Sequence, residues 1–404
     1  QASGTRSRNN PMVSSLDSWV DRELDQIACQ GLQRHLRLIQ RLEGCVVSVD
    51  GTEAVSFASC DYLGLSDHPR LVDASCEAAR AGGTSIGSAR LLAGQTDEVA
   101  ALEEDLARAF GTSTALVFGS GYLANVGVVT ALAGPGDLLI SDRLNHASMV
   151  DACRLSGAEV HVVDHNDVSA MEEALEAGSN FRRVLVLIEG LYSVDGDQAL
   201  IERWVDHATA AKALIIVDDA HGLGTIGPGG SGTAKARGVV DQIAVQVGNL
   251  GKALGSYGAF ALMDQPLREL FVQTSRPFMF TCALPPPVVA AARAGVAVFE
   301  NEPERVERLA TLSKILREAL AARGVPGIAG EGPIVPVHVG DPERAVALSH
   351  ALLQRGWLVP AVRPPTVPER GSRLRLAVTA RHEEQHCVDV AEAVASLFEG
   401  GDEG

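Results

Sequence analysis

One lysine of this 404-residue chain stands in a setting suited to covalent chemistry. The sequence has 34 Lys and Arg residues, and its lysines are Lys212, Lys235, Lys252 and Lys314. Lys252 lies in the glycine-flanked apolar run NLGKALG (249–255), directly after a predicted strand. A lysine removed from water has a lowered pKa and can form a Schiff base with a carbonyl carbon. We therefore take Lys252 as the candidate nucleophile, against the alternative of a half-buried lysine that only pairs with a carboxylate.

Polar side chains also follow the neighbouring predicted strands. Asp218 closes one apolar strand, and His221 follows three residues later. Glu189 follows a second strand, and Asn145 and His146 follow a third. Ligands of parallel α/β sheets bind at the carboxyl ends of the strands. The sequence therefore predicts that these side chains meet Lys252 at one edge of a sheet.

Residues 119–124 (GSGYLA) match the pattern GxGxx(G/A) between a predicted strand and a predicted helix. Free backbone N–H groups at such a helix start bind an anion. A lysine, a carboxylate, an aromatic ring and a phosphate site together are the groups that pyridoxal phosphate (PLP) requires. Two alternatives stay open. One is a glycine-rich turn without a ligand; the other is a nicotinamide dinucleotide site, because Asp142 lies near the roughly 20-residue spacing of that motif.

Two further motifs match by letter. Residues 382–386 (HEEQH) match the zinc motif HExxH, but a catalytic zinc needs a third protein ligand and no histidine follows His386. We interpret this segment as a charged first turn of the last helix and predict no metal site. Residues 83–87 (GTSIG) match GxSxG, but a nucleophile elbow follows a strand and a predicted helix precedes this segment. We interpret this match as chance.

Short apolar strands alternate with helices through the middle of the chain. We predict strands at 115–118, 138–141, 159–163, 184–188, 214–217 and 243–247, and helices at 15–42, 71–81, 98–110, 122–132 and 148–155. A hairpin is predicted at 46–57 around Asp50 and Gly51. Apolar strands that alternate with helices indicate an α/β fold with a mostly parallel sheet covered on both faces.

The last third of the chain has an alternation of its own. It is predicted to contain a long helix at 288–323, strands at 334–339, 358–362 and 374–378, and helices at 343–354 and 383–398. We divide the chain into an N-terminal arm, helix and hairpin (1–65), a large domain (66–295) and a small C-terminal α/β domain (296–404).

The composition argues against several classes of function. The 34 Lys and Arg residues stand against 51 Asp and Glu, a formal net charge of −17, so no nucleic-acid or anionic-membrane partner is expected. Apolar runs fall short of the roughly 18 residues that a membrane span needs. Residues 1–11 are polar and are interpreted as a loose arm or vector remnant, not a secretory signal. The seven scattered cysteines indicate reduced thiols in a cytoplasmic protein.

From about residue 32 to residue 398, the chain resembles the α-oxoamine synthases, a family of fold-type I PLP-dependent enzymes. The matching stretches are 61–65 (DYLGL), 142–148 (DRLNHAS), 189–197 (EGLYSVDGD), 217–222 (VDDAHG), 251–255 (GKALG), 284–286 (LPP) and 373–376 (RLRL). Within the family the chain is most similar to the 8-amino-7-oxononanoate synthases. The resemblance implies a fold-type I transferase with a mostly parallel, seven-stranded sheet and a small C-terminal α/β domain.

The resemblance also implies a catalytic role for each side chain. Lys252 would hold the cofactor and move protons at the substrate α-carbon, and Asp218 would pair with the pyridinium nitrogen. His221 would hydrogen-bond the ring hydroxyl, and His146 would stack on the ring. Arg375 would bind the amino-acid carboxylate through two hydrogen bonds. The implied reaction is the decarboxylative condensation of an α-amino acid with an acyl thioester, delivered as acyl-CoA or on an acyl carrier.

Further positions are implied around the cofactor and the acyl chain. The phosphate would be held by Ser120, Gly121, Tyr122, Asn249, Thr281 and Cys282, the last two reaching the partner subunit's cofactor in a homodimer with interfacial active sites. Glu189 and Ser193 would line the same cavity, with a structural carboxylate and a turn hydroxyl as the alternatives. Arg34, on the first predicted helix, matches a position that contacts the acyl carboxylate, with a solvated helix face as its alternative.

The chain departs from the family pattern at four positions. Cys60 replaces an asparagine near the amino-acid substrate, Asn249 replaces a threonine, Val99 replaces a histidine, and Cys282 replaces a hydroxyl residue. From Cys60 and Cys282 we predict a specialised synthase whose amino acid or acyl group differs from alanine and a pimeloyl thioester, with glutamate, serine or glycine as alternatives. Two other classes stay open, an NAD-dependent oxidoreductase and a non-catalytic relative, although the intact Lys252 opposes the latter.

Overall fold

The computed structural model describes residues 11–326, 328 and 330–399. Within these ranges the strands are β1 (Ile39–Arg41), β2 (Val46–Val49), β3 (Thr52–Ser56), β4 (Thr114–Phe118), β5 (Leu138–Asp142), β6 (Glu159–Val163), β7 (Val184–Glu189), β8 (Leu214–Asp218), β9 (Val245–Asn249), β10 (Ala259–Met263), β11 (Ile334–Gly340), β12 (Trp357–Leu358), β13 (Ala361–Val362) and β14 (Ser372–Ala377). The predicted arm at residues 1–10 lies outside the described part.

The helices surround and connect these strands. Those of the described chain are α1 (Pro11–Cys29), α2 (Pro69–Gly82), α3 (Asp97–Phe110), α4 (Gly121–Leu132), α5 (Ala147–Ser156), α6 (Val168–Ala177), α7 (Ile201–Ala210), α8 (Thr233–Ala236), α9 (Gln265–Thr274), α10 (Arg276–Met279), α11 (Pro286–Asn301), α12 (Glu304–Ala322), α13 (Pro342–Gln354) and α14 (Glu384–Glu399). None of these helices is long and apolar enough to span a membrane.

The central sheet has seven strands within the described residues, in the order β4-β10-β9-β8-β7-β5-β6. The strands from β9 to β6 are parallel, and β10 is antiparallel to both of its neighbours. The alternation of side chains along β8 shows how both faces are covered. Ile215 and Val217 belong to the apolar cluster around Trp204 of α7, whereas Ile216 belongs to the cluster around Val128 of α4. The predicted α/β fold with a mostly parallel, seven-stranded sheet is confirmed.

Two smaller sheets lie outside the central one. β11, β14 and β13 form an antiparallel sheet in the C-terminal part of the chain. The predicted hairpin β2–β3 forms around Asp50 and Gly51, whose positive φ angles of 50° and 92° suit a tight turn. β12 then pairs in parallel with β3, which joins the N-terminal hairpin to the C-terminal part. The domain boundaries at residues 65 and 295 stay a prediction.

Several predicted elements are wrong in extent. The helix predicted at 15–42 ends at Cys29, because Gly31 adopts φ 65° and turns the chain; Arg34 therefore lies in a loop and not on a helix. The helix predicted at 288–323 is two helices, α11 and α12, with Pro303 at the break between them. The strand predicted at 358–362 is the separate pair β12 and β13, and β10 was not predicted.

Candidate active site

The carboxyl ends of four parallel strands bring the predicted side chains together. Glu189 and Asp218 are the last residues of β7 and β8, and these two residues pair across the sheet. His146 follows β5 as the N-cap of α5, and Lys252 follows β9 in a turn. β7 and β8 are apolar up to these last residues, so their polar side chains start where the sheet core stops.

Lys252 is the first member of a buried hydrogen-bonded chain. Its Nζ lies 2.8 Å from Nε2 of His221, and Nδ1 of His221 lies 2.6 Å from the hydroxyl of Tyr62. Burial lowers the pKa of Lys252, although the Asp218 carboxylate partly opposes this effect. Burial and the nearby Lys252 hold the pKa of His221 well below its usual value. A neutral imidazole has one donor and one acceptor nitrogen, so both are satisfied within this chain.

Asp218 is the centre of a second set of contacts. Nδ2 of Asn125, on α4, donates to Oδ2 of Asp218 at 2.6 Å, and the backbone N–H of Ala220 donates to Oδ1 at 3.0 Å. Nδ2 of Asn125 also lies 2.9 Å from the hydroxyl of Ser148, which is 2.7 Å from Nδ1 of His146. Asn125, Ser148 and Tyr62 thus position the predicted residues, although their sequence positions had not indicated this role.

Glu189 is a buried carboxyl group in the same cluster. Its Oε2 accepts a hydrogen bond from the backbone N–H of Ser193 at 2.9 Å, and its Oε1 is buried without a partner in the described structure. Burial, reinforced by the Asp218 carboxylate, raises the pKa of Glu189 to about 8. Near neutral pH this side chain therefore holds a proton.

Arg375 reaches the cluster from the C-terminal sheet. It lies on β14, and its Nε donates to the backbone carbonyl of Ser193 at 2.7 Å. Its two terminal nitrogens lie 4.0 and 3.9 Å from Sγ of Cys60. Ser193 therefore contributes two backbone atoms, its N–H to Glu189 and its carbonyl to Arg375.

The loop that carries Ser193 is held from both sides. Asp195 pairs with Arg373, which is buried on β14 two residues before Arg375. On the other side, Nε2 of His165 lies 2.7 Å from Asp197 and its Nδ1 lies 3.1 Å from Asp142. The two carboxylates outweigh the effect of burial and raise the pKa of His165 to about 10. The Asp142 carboxylate is committed to this network, which removes the support for a dinucleotide site.

The predicted anion turn has the expected form. Ser120 is the N-cap of α4, and its hydroxyl accepts from the N–H of Leu123 at 3.2 Å. The N–H groups of Gly121 and Tyr122 begin the helix and have no acceptor within it. A Cβ on Gly121 would come within 3.1 Å of Nδ2 of Asn249, so the glycine leaves more room between the helix start and this amide. The Tyr122 phenol points elsewhere and donates to Asp151.

Three predicted residues lie apart from the Lys252 cluster. Arg34 donates to the carbonyl of Pro364 at 3.0 Å and lines a cleft of about 730 Å³ that contains none of the cluster residues. The Thr281 hydroxyl donates to the carbonyl of Pro277 at 2.6 Å, and Cys282 is exposed. Both adjoin a small cavity that Gly119 of the anion turn also lines.

The two motifs that were set aside have local structural contacts. His382 is buried, stacks on Phe57 with ring centroids 4.1 Å apart, and hydrogen-bonds to the backbone of Ser56 and Thr379. It is a core histidine that precedes α14, which corrects the interpretation of the whole segment as a charged first turn. The described residues contain no cluster of ligands for a metal ion. Ser85, in the GxSxG match, accepts from Gly87 N–H in a turn.

The residues of this strand edge fit PLP. Asp218 is a buried carboxylate with hydrogen bonds on both oxygens, which suits the pairing with a protonated ring nitrogen. The corner next to Gly121 is lined by helix N–H groups and the Asn249 amide, which suits a phosphate. Lys252 presents a desolvated amine. The three groups match the three polar ends of the cofactor.

Comparisons with known proteins span nearly the whole chain. A family model described as aminotransferase class I and II matches residues 52–394. An 8-amino-7-oxononanoate synthase from Geobacter metallireducens is 42% identical over 377 residues, 93% of this chain and 96% of that protein. One from Anaeromyxobacter dehalogenans is 44% identical over 382 residues, 95% and 96% of the two chains. A serine palmitoyltransferase structure from S. paucimobilis, with a bound PLP–myriocin adduct, superposes with a TM-score of 0.90 at 29% identity, covering 97% and 99%.

Proposed function

Because the chain belongs to the PLP-dependent α-oxoamine synthases of the aminotransferase class I and II family, we propose that it joins an α-amino acid to an acyl thioester. The products are an α-amino ketone, carbon dioxide and the free thiol. The observation that carries the proposal is the position of Arg375. Its Nε donates to the carbonyl of Ser193, and the N–H of Ser193 donates to Glu189 at the end of β7. This link to the strand edge supports Arg375 as the group that binds the substrate carboxylate.

PLP held at Lys252 supplies an electron sink for the bond that breaks at the α-carbon. Lys252, with its lowered pKa, can accept a proton from that carbon. His221 hydrogen-bonds Nζ and limits its orientation. Asp218, fixed by Asn125, would face the ring nitrogen of the cofactor, and His146 would cover the ring.

The phosphate and the substrate carboxylate are bound at separate places. Ser120, Gly121, Tyr122 and Asn249 would hold the phosphate at the start of α4. Arg375 would bind the α-carboxylate through its two terminal nitrogens, since its Nε is already used by Ser193. Glu189, protonated near neutral pH, can hold a proton beside Asp218 without adding a second negative charge.

The names of the relatives suggest the substrates. In 8-amino-7-oxononanoate the amino group lies on C8 and the ketone on C7, so a decarboxylative condensation forms this product from alanine and a pimeloyl thioester. We propose these two substrates, with coenzyme A as the thiol. Arg34, exposed in the cleft that Arg363 also lines, would then bind the distal carboxylate of the acyl chain.

A homodimer with active sites at the interface fits the surface of the single chain. Apolar side chains of α1, among them Trp19 and Leu24, are exposed by 52% and 51%. Phe280, which precedes Thr281 and Cys282, is 66% exposed. A second copy of the chain would cover these side chains and bring Thr281 to the other cofactor. The seven cysteines are free, which supports a reducing, cytoplasmic environment.

The direct test uses the purified PLP-loaded protein with alanine and pimeloyl-CoA. We expect release of free thiol and a product with the mass of 8-amino-7-oxononanoate, and an Arg375→Met variant is expected to lose most of this activity. An absence of thiol release with every amino acid tested would contradict the proposed reaction.

Cys60 favours a second candidate for the amino acid. Its thiol faces Arg375, where the α-carboxylate would bind, and a thiol is a weaker hydrogen-bond partner than an amide. The same assay with glycine, serine and glutamate in place of alanine decides between the two. A higher kcat/KM with one of these amino acids would identify a specialised synthase.

A further inference from the structure

The carboxylate-binding end of Arg375 faces a thiol. Nε of Arg375 is taken by the carbonyl of Ser193 at 2.7 Å, which fixes the plane of the guanidinium. The two terminal nitrogens that remain lie 4.0 and 3.9 Å from Sγ of Cys60. Sγ of Cys60 is thus nearly equidistant from both, as an acceptor opposite a two-pronged donor would be.

The charged and titratable groups around Cys60 favour its thiolate. Arg375 faces it from β14, Lys252 from the turn after β9, and Tyr62 from the same segment as Cys60. Burial alone would raise the pKa of the Cys60 thiol. The positive charge of Arg375 and the hydrogen bond with Tyr62 outweigh burial, so the pKa is lowered from its usual value.

We infer that the Cys60 thiolate and the substrate carboxylate compete for the guanidinium of Arg375, which makes Cys60 a determinant of amino-acid affinity. The inference rests on the proposed function, in which Arg375 binds the α-carboxylate. A thiolate at this position neutralises the guanidinium and repels an incoming carboxylate. The protonated thiol does neither, so the amino acid binds the form of the enzyme in which Cys60 carries its proton.

The competition has a measurable consequence. Above the pKa of Cys60, the binding of one amino-acid molecule is coupled to the uptake of one proton by the thiolate. KM for the amino acid therefore rises by up to about tenfold per pH unit in that range. Below this pKa, Cys60 adds no pH dependence. A serine hydroxyl does not ionise in the same range, so a Cys60→Ser variant lacks this component of the pH dependence.

The test compares the PLP-loaded wild type with Cys60→Ser, using alanine at saturating pimeloyl-CoA, at about pH 7 and about pH 9, on either side of the usual thiol pKa. The ionisation of the alanine amino group is the same for both proteins and cancels in the comparison. We expect the ratio of KM at the higher pH to KM at the lower pH to be several-fold larger in the wild type. Equal ratios in the two proteins would overturn the inference.

A second measurement does not depend on activity. The rate at which iodoacetamide alkylates Cys60 is followed by mass spectrometry of its peptide across pH, in wild type and in Arg375→Met. We expect the pH midpoint of alkylation to rise in Arg375→Met and alanine to protect Cys60 in the wild type. An unchanged midpoint would contradict the Cys60–Arg375 pairing. If no amino acid supported condensation but the alkylation midpoint still shifted in Arg375→Met, only the proposed function would be contradicted.

Discussion

Nζ of Lys252 and Nε2 of His221 lie 2.8 Å apart in a buried part of the site, and the pKa of each group is lowered. Burial is the main cause for both groups, and the positive charge of Lys252 further opposes a proton on His221. The hydroxyl of Tyr62, 2.6 Å from the other ring nitrogen, fixes the orientation of the imidazole. Three side chains from three parts of the sequence thereby prepare one amine for reaction.

The first prediction concerns Tyr62. A Tyr62→Phe variant leaves Nδ1 of His221 without its partner, and we expect kcat to fall by about tenfold, the equivalent of one buried hydrogen bond. Tyr192→Phe is the matched control, because Tyr192 is equally buried but lies outside the Lys252 chain. The kcat of both variants is measured by steady-state kinetics. A similar decrease in kcat in the two variants would show that Tyr62 acts only through packing.

The second prediction concerns Asn125, which holds Asp218. An Asn125→Ala variant removes the donor at 2.6 Å from Oδ2, and the affinity for PLP is expected to fall by about tenfold to a hundredfold, as for a hydrogen bond to a charged group. Ser349→Ala is the control, since Ser349 is also buried and hydrogen-bonded but lies on α13 and does not contact Asp218. Equilibrium titration with PLP gives both dissociation constants; an unchanged constant in Asn125→Ala would refute the role.

The third prediction follows from the pKa of Glu189, raised to about 8. At pH values between the usual pKa of a glutamate in the unfolded chain and about 8, the unfolded chain has lost the Glu189 proton and the folded chain keeps it. The free energy of unfolding therefore decreases as pH rises through this range. A Glu189→Gln variant lacks this decrease in the free energy of unfolding, so its stability relative to wild type should rise with pH over that range. Urea denaturation across pH measures it, with the exposed Glu369→Gln as control. A constant difference across pH would contradict the buried, protonated carboxyl group.

The fourth prediction concerns His165, whose pKa is raised to about 10 by Asp142 and Asp197. Because the folded pKa lies above the unfolded value, its stabilising effect is fully present below about pH 6.5 and is lost as pH rises through about 10. We expect His165→Gln to be least stable relative to wild type at acidic and neutral pH, with the difference shrinking at alkaline pH. Thermal denaturation of this variant, with the exposed His350→Gln as control, tests the prediction. A stability difference between wild type and His165→Gln that increased with pH would contradict it.

The sequence predicted those parts of the molecule that depend on local pattern. β5, β7 and β8 are apolar runs that end in polar residues, so both the strands and the edge bearing Asp218 and Glu189 could be read directly. β10 was missed because five apolar residues after a glycine-rich turn fit a strand or a helix equally well. The helical periodicity past Cys29 was overridden by Gly31.

The supporting residues of the site depend on tertiary packing and could not be predicted in the same way. Asn125 lies 93 positions from Asp218 and Tyr62 lies 159 from His221, and neither directly follows the end of a strand of the central sheet. Asn125 does follow the anion turn by one turn of α4, which is the one local signal that could have pointed to it.

Lys252 is expected to hold the cofactor, and the small number of lysines in the chain makes this easy to test. The PLP-loaded protein is reduced with borohydride, which fixes the bond between lysine and cofactor, and is then digested and mapped by mass spectrometry. We expect the cofactor mass on the peptide that contains Lys252, and the loss of this mass in Lys252→Ala. Cofactor on Lys212, Lys235 or Lys314, or on no lysine at all, would contradict it.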